Sequence, residues 1–181
     1  MDDYDIIIGA SEMYLDTCVF VKVEFEEGLS SNVARVLSFM TKNKVFSSSV
    51  AFGEFIGVLG RKESKEKEIN TIGYLVTCRR LMVDFDMKQI NQVEPVADRF
   101  NFLTLAQTLS TRYPHLGGGD LWQLMAALNL RGPFPAAILI SFDRKLIEAA
   151  RQEGISSVDA NALDIHELER RLRAATKLIG T

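Results

Sequence analysis

The stretch "AAILI", residues 136–140, is wholly apolar and is flanked by small residues. Such a run reads as a strand buried on both faces, the situation of an inner strand in a parallel sheet covered by helices on either side. The surrounding sequence repeats the alternation that such a sheet needs. Downstream, "RKLIEAARQEG" (144–154) predicts a helix closed by Gly154. "ISSVDA" (155–160) predicts a last strand and "ALDIHELERRLRAATKLIG" (162–180) a terminal helix. Upstream, "DLWQLMAALNL" (120–130) sets Leu121, Leu124, Met125 and Leu128 at helical spacing. It follows a break at "PHLGGG" (114–119) and a helix over 94–113 that has Pro95 at its start.

The first half follows the same rule. A first strand over 13–16 ends near Asp16, and "VFSS" (45–48) predicts a second. Helices are expected over 29–44, where Val33, Val36, Leu37 and Met40 share a face, and over 49–62, with Phe52, Phe55, Ile56 and Leu59 on one side. "KESKEKE" (62–68) is a charged surface segment leading into a helix that reaches about Leu81, and 83–90 stays open between strand and loop. Short strands alternating with helices give an α/β fold: a three-layer α/β/α arrangement around a central short parallel sheet. The expected division is an N-terminal extension over 1–12, in which "DIII" would add a short edge strand, then a domain over 13–160. A C-terminal helix over 161–181 would pack on the domain or serve in dimerisation.

Composition narrows the class. The chain has 181 residues, 47% hydrophobic and 25% charged, enough for one core. No apolar run approaches the roughly 20 residues that span a bilayer, and the acidic opening "MDDYDIIIG" lacks the basic start of a secretion signal. Two cysteines, Cys18 and Cys78, exclude a four-cysteine zinc ribbon and a disulfide scaffold and suit a reducing cytoplasm. The net charge of −3 argues against a general nucleic-acid binder.

In open α/β sheets the functional crevice lies beyond the carboxyl ends of the strands, where strand order reverses. Three acids belong to such corners: Asp16 after the first strand, Asp143 after "AAILI", and Asp120 opening a helix after three glycines. Each also reads as a helix N-cap. Asp16 is the least comfortable as a cap, because Met13, Tyr14, Leu15, Val19 and Phe20 surround it, and a buried carboxylate needs a partner or a metal. Glu54 reads as a solvated helical residue, yet Gly53 and Gly57 flank it on a face opposite the large apolar residues. A helix-interior glycine costs about 1 kcal/mol against alanine, so something is expected to approach closely there.

The order "YLDT" (14–17), "SSSVAFGEF" (47–55), "GGGDLWQLMAAL" (117–128) and "ILISFDRKL" (138–146) resembles the PIN-domain family of metal-dependent ribonucleases, VapC-like toxins among them. The resemblance covers about residues 13–160. It implies Asp16, Glu54, Asp120 and Asp143 as the acidic set that holds Mg²⁺ or Mn²⁺, with Asp16 and Asp143 the main ligands. Ser141 would orient Asp143 or the attacking water. Arg144 could reach a phosphate, against its reading as an exposed helix arginine, and Thr17 would steady the loop beside substrate. The implied reaction is hydrolysis of RNA phosphodiester bonds by metal-activated water, leaving a 5′-phosphate. The implied partners are RNA, an antitoxin protein where the chain is a toxin, and a second copy in a homodimer, all in the cytoplasm. The family usually has Asn two residues after its first Asp; here Cys18 stands there, read as buried structure.

With these four acids taken out of the sum, the net −3 becomes +1, which softens the charge objection. Two basic clusters follow: Arg61 to Lys67 with Arg79 and Arg80, and Arg170, Arg171, Arg173 and Lys177. Tyr113 and Trp122, beside the glycine break, could stack on a base, with the core as the competing place for Trp122. Two other readings stand beside the nuclease. One is a catalytically inactive PIN-like scaffold that binds RNA or protein. The other is a haloacid-dehalogenase-like phosphatase, disfavoured because Cys18 sits where that chemistry needs a second acid.

Overall fold

The computed structural model describes residues 2–24, 44–63, 90–94 and 99–179. Five parallel strands form one sheet: β1 (Glu12–Leu15), β2 (Lys44–Ser47), β3 (Ile90–Gln92), β4 (Ile138–Ser141) and β5 (Ser156–Asp159). Their spatial order is β3-β2-β1-β4-β5. The chain therefore builds outward from β1 in one direction, then returns to β1's other side with β4. The reversal falls between β1 and β4, whose register sets Tyr14 against Leu139 and Leu15 against Ile140.

Around the sheet lie α1 (Asp3–Gly9), α2 (Thr17–Glu24), α3 (Ser49–Glu63), α4 (Arg99–Arg112), α5 (Gly118–Arg131), α6 (Arg144–Gln152) and α7 (Ile165–Ile179). Alternate strand residues feed two cores. Met13, Leu15, Ile138 and Ile140 pack with Ile7, Val19, Phe20 and Leu168 on one face. Tyr14, Phe46 and Leu139 pack with Leu109, Leu124, Met125 and Leu146 on the other. All four residues of β4 are buried, as "AAILI" foretold, and the architecture is the three-layer α/β/α expected.

Several expectations are corrected. "DIII" is not an edge strand but part of helix α1. Asp2 caps it by accepting from the Asp5 amide at 3.0 Å, and Asp3 and Asp5 sit in its first turn, where the helix dipole favours negative charge. Ile7 of this helix is buried in the core, and Asp3 accepts from the Asp159 amide and from Arg151. The open segment 83–90 yields a strand only from Ile90, which begins β3; 83–89 lie outside the described residues. Ile56 is partly exposed rather than set in the apolar face of its helix. Of the helix expected over 29–44 only Lys44 is described, and it opens β2; the rest of it, the helix reaching Leu81 and Pro95 lie outside the described residues. Gly154 ends its helix with φ +75°, the left-handed conformation glycine adopts without strain. No helix among the described residues is long and apolar enough to cross a membrane.

Candidate active site

The carboxyl ends of β1 and β4 open into a cleft of about 840 Å³. Asp16, Thr17, Glu54, Asp120 and Asp143 all line it. Residues separated by more than a hundred positions thus meet at the reversal in strand order, where the topology rule places a site.

Asp16 follows the last residue of β1 and is 5% exposed. Its amide continues the ladder by donating to the Ile140 carbonyl at 3.3 Å. One carboxylate oxygen, Oδ1, accepts from the Thr17 amide at 2.6 Å. The other, Oδ2, accepts from the Ser141 hydroxyl at 2.7 Å and the Cys18 thiol at 2.8 Å. Burial pushes its pKa up to about 6, against the pull of the bonds from Cys18, Ser141 and Thr17.

The Ser141 hydroxyl oxygen accepts from the Asp143 amide at 2.9 Å and donates its own proton to Asp16 Oδ2. One hydroxyl thus ties the ends of β1 and β4 together. Cys18 does more than fill space. Its sulfur also accepts from the Phe142 amide at 3.2 Å, so it bridges the loops that follow β1 and β4. Burial and the Asp16 charge raise its pKa well above the usual thiol range, which keeps it a protonated donor rather than a nucleophile.

Asp143 is both cap and cleft residue. Oδ1 accepts from the amides of Lys145 (2.7 Å) and Leu146 (3.3 Å) at the start of α6. Asp120 is not the N-cap the sequence suggested. The helix begins earlier, at Gly118, and Asp120 reaches back from the first turn to accept from the Gly117 amide at 3.1 Å. Burial raises its pKa, and the charges of Asp143 and Glu54 add to the rise. The acids therefore feel one another's fields.

Glu54 is held from two sides. Thr17 Oγ1 donates to Oε2 at 2.6 Å, and Gln123 Nε2 donates to the same oxygen at 3.2 Å. A close approach to Glu54 occurs at Gly119, where any Cβ would collide with Glu54 Oε1. A Cβ on Gly53 would meet nothing, and Gly53 and Gly57 instead line the open cleft.

Arg144 is not brought into the cleft. Its side chain is 78% exposed and pairs with Asp159 at 3.4 Å. Tyr113 is buried, with its hydroxyl on Glu153 at 2.7 Å, so its ring is not free to stack on a base. Trp122 is half-buried against Phe102, with ring centroids 4.9 Å apart. Of the basic clusters, Arg170 and Arg171 are tied into ion pairs: Arg170 with Glu167, Arg171 with Glu167, Asp2 and Asp5. The side chains of the Arg61–Lys67 cluster and of Lys177 lie outside the described residues. Sequence reasoning missed Lys22, which lines the cleft with its ammonium 5.0 Å over the Phe142 ring. The signal was present, since Lys22 lies one helical turn beyond Cys18. It also missed Gln123, Tyr14 and Ser48, a buried polar group behind Glu54.

The donor set suits a hard divalent cation: four carboxylates around water-accessible space, with pKa values raised at Asp16 and Asp120. Among the described residues no three of them are yet gathered closely enough to grip an ion. The cleft is a wall of donors rather than a closed cage.

No family model and no curated protein matches the chain. Solved structures do. VapBC2 from Rickettsia felis, bound to a DNA fragment from their promoter, is 16% identical with a TM-score of 0.52, over 81% of this chain and 97% of that one. VapBC-1 from nontypeable Haemophilus influenzae is 15% identical with a TM-score of 0.53, over 83% and 98%. FitAcB from Neisseria gonorrhoeae is 15% identical with a TM-score of 0.50, over 83% and 99%. At such identities the likeness is one of fold, and it spans nearly the whole of those chains.

Proposed function

We propose that this chain is a PIN-type, divalent-metal-dependent endoribonuclease of the VapC toxin kind, with an antitoxin protein as its partner and a second copy of itself in a homodimer. One observation carries the reading. Four acids from four separate segments, Asp16, Glu54, Asp120 and Asp143, line one cleft at the switch point of the sheet. The likeness to VapBC2, VapBC-1 and FitAcB supports the toxin part.

Asp16, Asp120 and Asp143 would hold the ion, with Glu54 on a metal water or a second ion. Bound there, Mg²⁺ or Mn²⁺ supplies activated water and charge neutralisation at phosphorus. The chain's own residues do the rest. Ser141, Cys18 and the Thr17 amide keep Asp16 aimed. Thr17 and Gln123 keep Glu54 aimed. Lys22 at the cleft wall offers a cation to a substrate phosphate.

The inactive-scaffold reading draws on the spacing of the acids, which do not yet form a cage. Thermal unfolding against Mn²⁺ separates the two. A nuclease site gains about 2.7 kcal/mol when Mn²⁺ stands at a hundred times its dissociation constant. It also cleaves single-stranded RNA to products with 5′-phosphates. A melting temperature indifferent to Mn²⁺, together with intact RNA, selects the scaffold.

A further inference from the structure

We infer that Gln123 is a positioning residue that fixes the Glu54 carboxylate in the cleft, an assignment that rests on the proposed metal site and deepens it. Gln123 is 0% exposed, on the inner face of α5. A buried primary amide is held only where both ends find partners. Here both do, and the two ends face different tasks. The carbonyl end accepts from the Tyr14 hydroxyl and from Ser48 Oγ at 3.2 Å. Ser48 in turn accepts from the Ala51 amide at 3.1 Å, in the first turn of the helix that carries Glu54. The amino end donates to Thr17 Oγ1 at 2.8 Å and to Glu54 Oε2 at 3.2 Å.

The chain of bonds has one direction. The Glu54 carboxylate can only accept, so the NH₂ must face it, which leaves Oε1 to accept the hydroxyl protons of Tyr14 and Ser48. Reversing the amide would set an oxygen against the carboxylate. Thr17, by accepting from Gln123, has its own proton free for Glu54 Oε2. Gln123 thus orders the hydroxyl that grips Glu54 and also grips it directly. Gly119, one turn earlier on the same helix, leaves the space the carboxylate needs. A single helix supplies the cleft acid Asp120, the gap at Gly119 and the clamp at Gln123.

The test uses the full chain as Gln123→Met, which keeps length and flexibility but removes both polar ends. Leu124→Ala serves beside it as a variant that loses packing on the same helix without touching Glu54. Mn²⁺ affinity is read by titration calorimetry well below the melting point, and kcat and KM on labelled RNA are read in parallel. Outer contacts to metal ligands are worth about 10–100-fold. Gln123→Met should lose Mn²⁺ affinity and kcat by about that factor, with KM within about twofold. Leu124→Ala should lower the melting temperature and leave Mn²⁺ affinity at the parent value. Gln123→Asn, which keeps an amide but is one methylene too short to span both sets of partners, should fall on the same side as Gln123→Met. It stands in should the latter fail to fold. Equal Mn²⁺ affinity and kcat in the Gln123 variants and the parent overturn the assignment while leaving the metal site standing. A parent chain that binds no Mn²⁺ overturns both.

Discussion

At the residue scale the account turns on Asp16. Burial raises its pKa from 3.8 to about 6, so between those values the folded chain holds a proton that the unfolded chain has lost. Stability contributed by this group is therefore greatest below about pH 4 and falls as pH rises through about 6. In EDTA, Asp16→Asn should remove this penalty and raise stability at pH 7.5 by ~1–3 kcal/mol, measured by denaturant unfolding. The same substitution should abolish cleavage. A gain in stability coupled to a loss of activity marks a charge kept for function. A second test is Gly119→Ala. Its Cβ displaces Glu54 Oε1, so cleavage should fall about 10–100-fold while far-ultraviolet circular dichroism stays unchanged. The four acids were legible in the sequence because each follows a strand or opens or occupies a helix in a recurring order. Gln123, Tyr14 and Ser48 were not, because a polar residue in a helical or strand pattern shows its partners only once segments 69 to 109 positions apart are packed together. Cys18 was read as filler because its distant partners, the Ser141 hydroxyl and the Phe142 amide, come from the end of β4 and the residue after it.

At the scale of elements, α6 separates the capping role of Asp143 from its proposed role as a metal ligand. Asp143 caps this helix through Oδ1, and asparagine caps about as well as aspartate. Asp143→Asn should therefore keep the melting temperature of the parent in EDTA and lose cleavage. Asp143→Ala should lose cleavage and about 1 kcal/mol of stability as well. Equal stability of the two variants would show that the cap contributes nothing and that the residue serves the cleft alone. The element boundaries read from sequence were close wherever apolar periodicity was strong, as in α5 and β4. They failed at α1, where "DIII" has the apolar run of a strand but the flanking acids of a capped helix. Three apolar residues carry too little periodicity to decide between the two. Asp120 shows the same limit: the glycines of "GGGD" read as a break, yet two of them form the first turn of α5.

At the scale of the whole molecule, the ends of the chain close on each other. The Tyr4 hydroxyl of α1 accepts from the Asp164 amide, just before α7, at 2.9 Å, and its ring lies 4.8 Å from the Arg171 guanidinium. Leu168 is fully buried in the core that Ile7 joins. Deleting residues 1–10 should therefore lower the melting temperature by several degrees, since burial of a side chain the size of Ile7 is worth about 1.5–3 kcal/mol. A freely dispensable extension would leave it unchanged. The sheet order was out of reach of the sequence, which shows strands but not their neighbours. Only the topology reveals that Asp16 and Asp143 flank the switch point.

The measurement that tests the central claim most directly is cleavage of a labelled single-stranded RNA by the purified chain and by Asp16→Asn, each with Mn²⁺, with Mg²⁺ and with EDTA. The account predicts cleavage by the parent chain in either metal, none in EDTA, and none by the variant under any condition. Equal cleavage by both proteins, or cleavage that persists in EDTA, would contradict it.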